Sequence, residues 1–366
     1  MKQTKTVGVT DWHGLYDEIA TYPLQGLSYQ KIPITRKGSP WLRSPVAGFM
    51  SKYDFSGIDV VESVINLVDT KLPWIHSLAC LQESVSFNWL GVPLPKQLRI
   101  AYASYLFSRP NCRALLFWSQ SGLDTVKSYG ELNRGVIVDK ARVVYPCIRH
   151  VSTEDFSAKP TDSINILFSG DFFRKGGVNV VDAFEAVQKD FPNARLRMCC
   201  DFNMDFKTDN VAMRQRYIDK IQTNPAIVHG RVARDEMMNQ ILPQTHIYLL
   251  PTYSEAFGYA VLEAMAYGIP VIATDHMAIP ELIEHRESGM LIGIQHHDYR
   301  KHFRGYAVNE IPADFRNHVT GKLTEYLGTL LGDKALREKI GANGQQLART
   351  KFSVEQRNRI MADIYP

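Results

Sequence analysis

Leu249-Leu250-Pro251-Thr252-Tyr253-Ser254-Glu255-Ala256-Phe257-Gly258-Tyr259-Ala260-Val261-Leu262-Glu263-Ala264-Met265-Ala266-Tyr267-Gly268-Ile269-Pro270 passes from an apolar run through a polar loop into a short apolar helix. Gly268 reads as the residue that ends the helix, with Pro270 close behind it. A strand whose loop opens a helix is one step of a parallel α/β sheet, and such sheets bind ligands at the carboxyl ends of their strands. The first helical amides, at Phe257, Gly258 and Tyr259, have no helical partners and suit a diphosphate. Gly258 also lets the backbone approach a ligand closely. Glu263, one turn into the helix, can accept hydrogen bonds from both vicinal hydroxyls of a ribose, and Glu255, still in the loop, from the hydroxyls of another sugar. Either glutamate alone reads as well as a solvated acid favoured by the helix dipole. Their pairing around the loop from Ser254 to Gly258 favours a ligand.

The surrounding sequence repeats the same step. Ile164 to Phe168 is a short apolar run ended by Ser169-Gly170, which predicts a buried parallel strand. Helices are predicted over Val178 to Lys189, Val211 to Gln222, Arg234 to Leu242 and Tyr259 to Tyr267, with strands at Arg195 to Cys200, Ala226 to His229, His246 to Leu250 and Pro270 to Thr274. Regular alternation makes a doubly wound parallel sheet the expected architecture. The first half is less regular: strand candidates are Tyr29 to Ile34, Ile58 to Val61, Trp74 to Leu78, Ala114 to Trp118 and Arg142 to Tyr145, with a helix over Lys96 to Phe107. The polar stretch Val151 to Ser163 reads as a linker.

At 366 residues, 45% hydrophobic and 22% charged, the chain has the size and composition of two ordinary globular domains. A net charge of +4 is no nucleic-acid footprint. The five cysteines lack metal or redox spacing and read as buried hydrophobes of a reducing compartment. No apolar stretch approaches the ~20 residues that span a bilayer, and the start has no apolar leader, so a cytoplasmic protein is expected.

A second motif, Ser169-Gly170-Asp171-Phe172-Phe173-Arg174-Lys175-Gly176-Gly177, sets two cations just before a helix. Cations beside a helix N-terminus are electrostatically odd unless an anion is shared between them; the plainer alternative is a solvent-exposed turn. With this motif in place, two glutamates seven residues apart in PTYSEAFGYAVLEAMAYGIPVIAT resemble the E-x7-E motif of retaining glycosyltransferases of family 4, which have the GT-B fold. Ile279-Pro280-Glu281-Leu282-Ile283 and Ser288-Gly289-Met290-Leu291-Ile292 match the family's downstream pattern. The resemblance covers residues 140 to 365 well and the first 140 poorly.

The resemblance implies two Rossmann-like domains facing across a cleft: an N-terminal acceptor-side domain over 1–150, a nucleotide-sugar-binding domain over 151–350, and a terminal helix at 351–366 crossing back to the first. It implies that Arg174 and Lys175 grip the donor phosphates and stabilise the departing diphosphate, with Glu255 as the third catalytic group. Ser254, Ala256, Phe257, Gly258, Tyr259 and Glu263 bind the donor, and Gly230 and Arg231 lie beside its base. His76, after a strand, either lines the sugar pocket or is a buried structural histidine; Glu83 is the alternative lining residue. The start Thr6 to Gly14 lacks the family's glycine-rich loop, so the first βα unit is expected to be reduced or absent.

The implied reaction moves a hexosyl-type unit from a nucleoside-diphosphate sugar to a saccharide, lipid-linked or other hydroxyl acceptor, by front-face attack assisted by the leaving phosphate. No metal cluster is legible, and neither metal nor cofactor is expected. Basic and aromatic residues mix in Lys31 to Lys52 (Arg36, Lys37, Trp41, Arg43) and in Lys96 to Arg113. They form either a peripheral contact with anionic membrane on its inner face or a solvated surface over a buried stripe. A sugar-nucleotide epimerase and a non-catalytic nucleotide-sugar-binding protein are the rival readings.

Overall fold

In the computed structural model, the residues described are 4–33, 53–65, 67–85, 88–89, 92–93, 95–128, 134–152, 159–294, 306 and 308–365. The basic-aromatic stretch with Arg36, Lys37, Trp41 and Arg43 lies outside them. The chain divides into two compact units, Met1–Arg149 together with Phe352–Pro366, and His150–Lys351.

The first unit is built on a parallel sheet. Its strands are β1 (Lys5–Val9), β2 (Leu27–Lys31), β3 (Val60–Val64) and β4 (Trp74–Leu78); after a two-residue hairpin of β5 (Asn88–Trp89) and β6 (Val92–Pro93) come β7 (Cys112–Phe117) and β8 (Ala141–Val143). The order across the sheet is β2-β1-β3-β4-β7-β8. Strands β3 and β4 are buried along their whole length, as central parallel strands covered on both faces must be. Of the two expectations for the first βα unit, absence is overturned: β1 is followed by the short α1 (Gly14–Thr21) and pairs with both β2 and β3. The helix is short, and its glycine-poor approach hid it from a motif search. A longer helix, α2 (Lys96–Ser108), buries Ile100, Ala103, Leu106 and Phe107 and leaves Leu98 and Tyr105 exposed.

One face of this sheet is closed by the end of the chain. Met361 and Tyr365 pack with Val7, Val60, Ile75, Ala114 and Leu116. A buried polar cluster pins them. Glu62, with no exposed surface, accepts hydrogen bonds from Tyr16 (2.8 Å) and Tyr365 (2.5 Å), and the buried Arg357 lies 3.6 Å away. A carboxylate so buried needs such partners, because an unpaired buried charge costs several kcal/mol.

The second unit repeats the plan with the order β11-β10-β9-β12-β13-β14, all parallel. These strands are β9 (Ile164–Ser169), β10 (Ala194–Cys199), β11 (Ile227–His229), β12 (Ile247–Leu250), β13 (Val271–Thr274) and β14 (Met290–Ile292). Its main helices are α3 (Gly177–Gln188), α4 (Val211–Thr223), α5 (Tyr259–Ala266), α6 (Ala313–Gly332) and α7 (Lys334–Lys351), and the terminal α8 (Val354–Met361) belongs to the first unit. The apolar run of β9 sits at the centre, where Phe168 is fully buried; full burial of such a side chain contributes about 1.5–3 kcal/mol. Helix α3 is buried on nearly all sides because α6 covers the face that the sheet does not, with Asn179 donating to the Thr320 hydroxyl (2.8 Å) and the Arg316 carbonyl (3.0 Å). The predicted helix from Arg234 exists as one turn, Arg234–Glu236, continued by a wider turn over Met237–Ile241. All five cysteines are buried and free, and burial pushes the Cys199 thiol up to about 11.

Candidate functional site: the carboxyl edge of the second sheet

The strand order of the second unit creates its site. From β9 the chain winds outward to β10 and β11, then returns to place β12 on the other side of β9. The loops leaving β9 and β12 flank this reversal point at the carboxyl edge, the place where open parallel sheets bind ligands. Both sequence motifs lie in these two loops.

The loops are fastened together. Tyr253 N–H donates to the Arg174 carbonyl at 3.0 Å, and the Thr252 hydroxyl reaches the same carbonyl at 3.4 Å. Gly176 has φ +81, and a Cβ there would stand 2.1 Å from the Pro251 carbonyl oxygen, so only glycine lets the β9 loop lie against the β12 loop. Gly258, at φ +89, turns the chain into α5, and Phe257 is buried beneath the turn. Below them the Ser169 and Tyr248 hydroxyls share a hydrogen bond of 2.8 Å between the two strand ends.

Lys175 crosses between the loops. Its ammonium hydrogen-bonds the Glu255 carboxylate and the Ser254 carbonyl (3.3 Å), and both ionic side chains are mostly covered. Burial works to raise the Glu255 pKa, but the Lys175 charge and hydrogen bond, the Ala256 amide at 3.0 Å and the Arg174 charge outweigh it and hold the carboxyl below its ordinary value. Arg174 is exposed, 3.8 Å from Asp171, and its side chain is the cation of this pair that faces solvent. Asp171 thus joins the site through Arg174.

Glu263 is nearly buried on α5, where Arg234 hydrogen-bonds its carboxylate and lies over the Tyr259 ring at 5.9 Å. Sequence reasoning missed Arg234. No spacing links it to Glu263, because the contact spans 29 residues and arises from where β11 and β12 end. Arg231 makes a two-pronged contact with Asp205, at 2.9 and 2.6 Å, which lowers the Asp205 pKa chiefly through that hydrogen bond. Gly230, at φ +145, has open space on its Cβ side. Beside it the His229 ring stacks on Phe202, with centroids 4.2 Å apart.

His76 is corrected. It has no exposed surface, its Nδ1 is 2.7 Å from the Ser63 hydroxyl and its Nε2 is 2.6 Å from the Ser84 hydroxyl, and it packs among Trp74 and Phe107. Burial lowers its pKa to about 4. It is a neutral histidine buried in the first unit's core. Glu83 accepts from the Ala79 amide at 3.2 Å. Among the described residues no group of three or more His, Cys, Asp or Glu side chains gathers as a metal-binding set, and no helix is long and apolar enough to cross a membrane.

Two parallel six-stranded sheets with their helices, the second carrying paired glutamates and a cationic loop on its carboxyl edge, define a protein of the GT-B fold. Solved structures agree. Anabaena Alr3699/HepE in complex with UDP and glucose superposes with a TM-score of 0.64 at 15% identity, over 98% of both chains. WaaG, a glycosyltransferase involved in lipopolysaccharide biosynthesis, gives 0.63 at 13% identity, over 98% of this chain and 99% of that one. At the sequence level, residues 163–301 match the family described as glycosyl transferases group 1. That stretch is thus similar to group 1 glycosyltransferase domains. The sulfoquinovosyl transferase SQD2 of Arabidopsis thaliana is 29% identical over 169 residues, 46% of this chain and 27% of that protein. The chain spans less than half the length of the curated relatives it matches.

Proposed function

We propose that the chain is a glycosyltransferase that takes a hexosyl-type unit from a nucleoside-diphosphate sugar, with retention, and passes it to a saccharide, lipid-linked or other hydroxyl acceptor. The observation that carries this reading is the fastening of the Arg174-Lys175 loop to the Glu255 loop, because it gathers cations, a helix N-terminus and two carboxylates on one edge.

In this reading the ribose hydroxyls bond Glu263, and the base lies by Gly230 and Arg231 near the Phe202–His229 stack. The diphosphate meets Arg174, Lys175 and the amides of Phe257 to Tyr259. Glu255, kept ionised by Lys175, accepts from the transferred sugar, with Ser254 and Ala256 shaping its loop. As the bond to the anomeric carbon breaks, charge grows on the leaving phosphate, and the fixed cations and amides stabilise it without reorganising. The leaving phosphate oxygen takes the acceptor proton on the same face. Arg174 and Lys175 supply the charge compensation, so the reaction needs no divalent cation.

Solved structures of the same fold hold UDP or UDP-glucose, which makes uridine donors the first to try. Exposed Leu98 and Tyr105 on α2 are the apolar side chains that a peripheral membrane contact would use. The test is a thermal-shift series of nucleoside diphosphates, since a ligand at 100 times its Kd adds about 2.7 kcal/mol, followed by turnover of the matching sugar donor in excess chelator and NMR of the product's anomeric configuration. If no nucleoside diphosphate stabilises the protein and no donor turns over, the reading fails; an inverted product or strict metal dependence removes its mechanism.

A further inference from the structure

The second unit has a partly open cavity, of about 260 Å³, at the opposite end of the same strands. It lies beside Ile164, the first residue of β9, and His246 and Pro270, which immediately precede β12 and β13. Its walls carry Lys159, Lys334 and Arg337 against one carboxylate, Glu338. Glu338 is 3.7 Å from Lys334, and both of those side chains are largely exposed.

Lys159 and Arg337 are different. Arg337 is only 8% exposed, and its Nη1 donates to the Leu330 and Leu331 carbonyls at 2.6 and 3.4 Å, capping α6. Glu338 and then Asp333, the residue between α6 and α7, act on it against the effect of burial, and the Asp333 carboxylate also accepts the Leu336 amide at 2.9 Å. Burial, with the Arg337 charge adding to it, lowers the Lys159 pKa to about 8. Glu338 acts on both Lys159 and Arg337 and offsets part of their repulsion, but three cations still line the cavity against that one carboxylate, an excess that an added anion would relieve. His246 adds no anion: its Nδ1 accepts the Asn165 amide at 3.0 Å, and burial, with the charges of Lys159 and Arg337, lowers its pKa to about 4. Thr161 and Ser163 also line the cavity, so lysine, arginine and hydroxyl residues surround one small space. That set suits a tetrahedral oxyanion.

We propose that this cavity is a binding site for a small phosphate-bearing anion, held by Lys159, Arg337 and Lys334. It is separate from the edge carrying Arg174 and Glu255, so the two can be occupied together.

The experiment titrates the full chain with inorganic phosphate at constant ionic strength, by calorimetry and thermal shift, with chloride as control. The parent protein is expected to bind one phosphate saturably with a rise in Tm. Lys159→Met is expected to weaken that binding at least tenfold, while remaining as heat-stable as the parent in phosphate-free buffer. Lys175→Ala, on the other edge, is expected to leave it intact, which separates this site from the proposed donor site. In protein with 13C-methylated lysines, the Lys159 resonance is expected to titrate near pH 8 and to move to higher pH with phosphate. The proposal is overturned if chloride gives the same rise, if Lys159→Met binds phosphate like the parent, if Lys175→Ala abolishes binding, or if the Lys159 titration ignores phosphate.

Discussion

Arg234 lies on Glu263: its guanidinium hydrogen-bonds the carboxylate while covering the Tyr259 ring. The residue proposed to hold the ribose is thus oriented by a neighbour from another strand-end loop. Removing a charged hydrogen-bonding group costs about 1.5–3 kcal/mol, roughly 10- to 100-fold in Kd. Glu263→Ala is expected to weaken nucleoside-diphosphate binding by that factor. Arg234→Ala is expected to weaken it about tenfold by loosening Glu263, and the double variant no further than Glu263→Ala alone, because residues that act as one unit are not additive. Calorimetry showing additive losses would mean that Arg234 acts independently of Glu263.

Lys175 and Glu255 form the second pair, and here turnover is the sensitive quantity. Glu255→Ala is expected to lower kcat about 100-fold, the effect of losing one well-placed transition-state contact, with nucleoside-diphosphate Kd changed little. The depressed Glu255 pKa also fixes a sign. The pair's contribution to stability is present above the unfolded carboxylate pKa of about 4.3 and is lost as pH falls through the lower folded value. Stopped kinetics and calorimetry that find Kd, rather than kcat, moving would reassign Glu255 to donor binding.

Five of the second sheet's six strands, all but β14, were legible as short, mostly apolar segments beside loops with glycine and polar residues, and Arg174, Lys175, Glu255 and Glu263 sit in or just after those loops. The pairings among them were not. Lys175–Glu255 and Arg234–Glu263 join residues 80 and 29 positions apart, and their meeting depends on strand order, which no local pattern encodes. In the first unit Glu62 reads as a polar break in VVESV, yet its carboxylate is buried between Tyr16, Arg357 and Tyr365. Tertiary partners replaced the water that local patterning assigns to it. Trp74 to Leu78 was placed correctly as a strand, but the strand is fully buried, which leaves its histidine in the core.

Gly176 is predicted to be irreplaceable for steric reasons. In Gly176→Ala the new methyl meets the Pro251 carbonyl oxygen at 2.1 Å, so the two loops must separate, in addition to the strain of φ +81. Left-handed strain alone costs about 1–3 kcal/mol. Gly230→Ala in the same unit carries a positive φ without any clash and is the control. Urea unfolding should rank Gly176→Ala below Gly230→Ala by at least about 1 kcal/mol; equal midpoints would show that the loops are not held together as described.

His76 tests the corrected assignment. A histidine whose folded pKa is about 4 stays neutral in the native state, while the unfolded chain takes up a proton near pH 6.5. Stability from this group is therefore present above about pH 6.5 and is lost progressively as pH falls towards 4, by roughly 3 kcal/mol in all. His246, also held at about 4, contributes the same sign in the second unit, so a global measurement would mix the two. Hydrogen exchange of the β4 amides separates them, because it follows opening around His76. His76→Gln, which keeps a hydrogen-bonding group for Ser63 or Ser84, is expected to flatten the loss of β4 protection between pH 6.5 and 4 and to leave kcat of the folded protein at neutral pH near that of the parent. A folded His76→Gln protein with its turnover abolished would return this residue to the reaction, whereas an unchanged exchange profile would show that the ring is protonated in the native core.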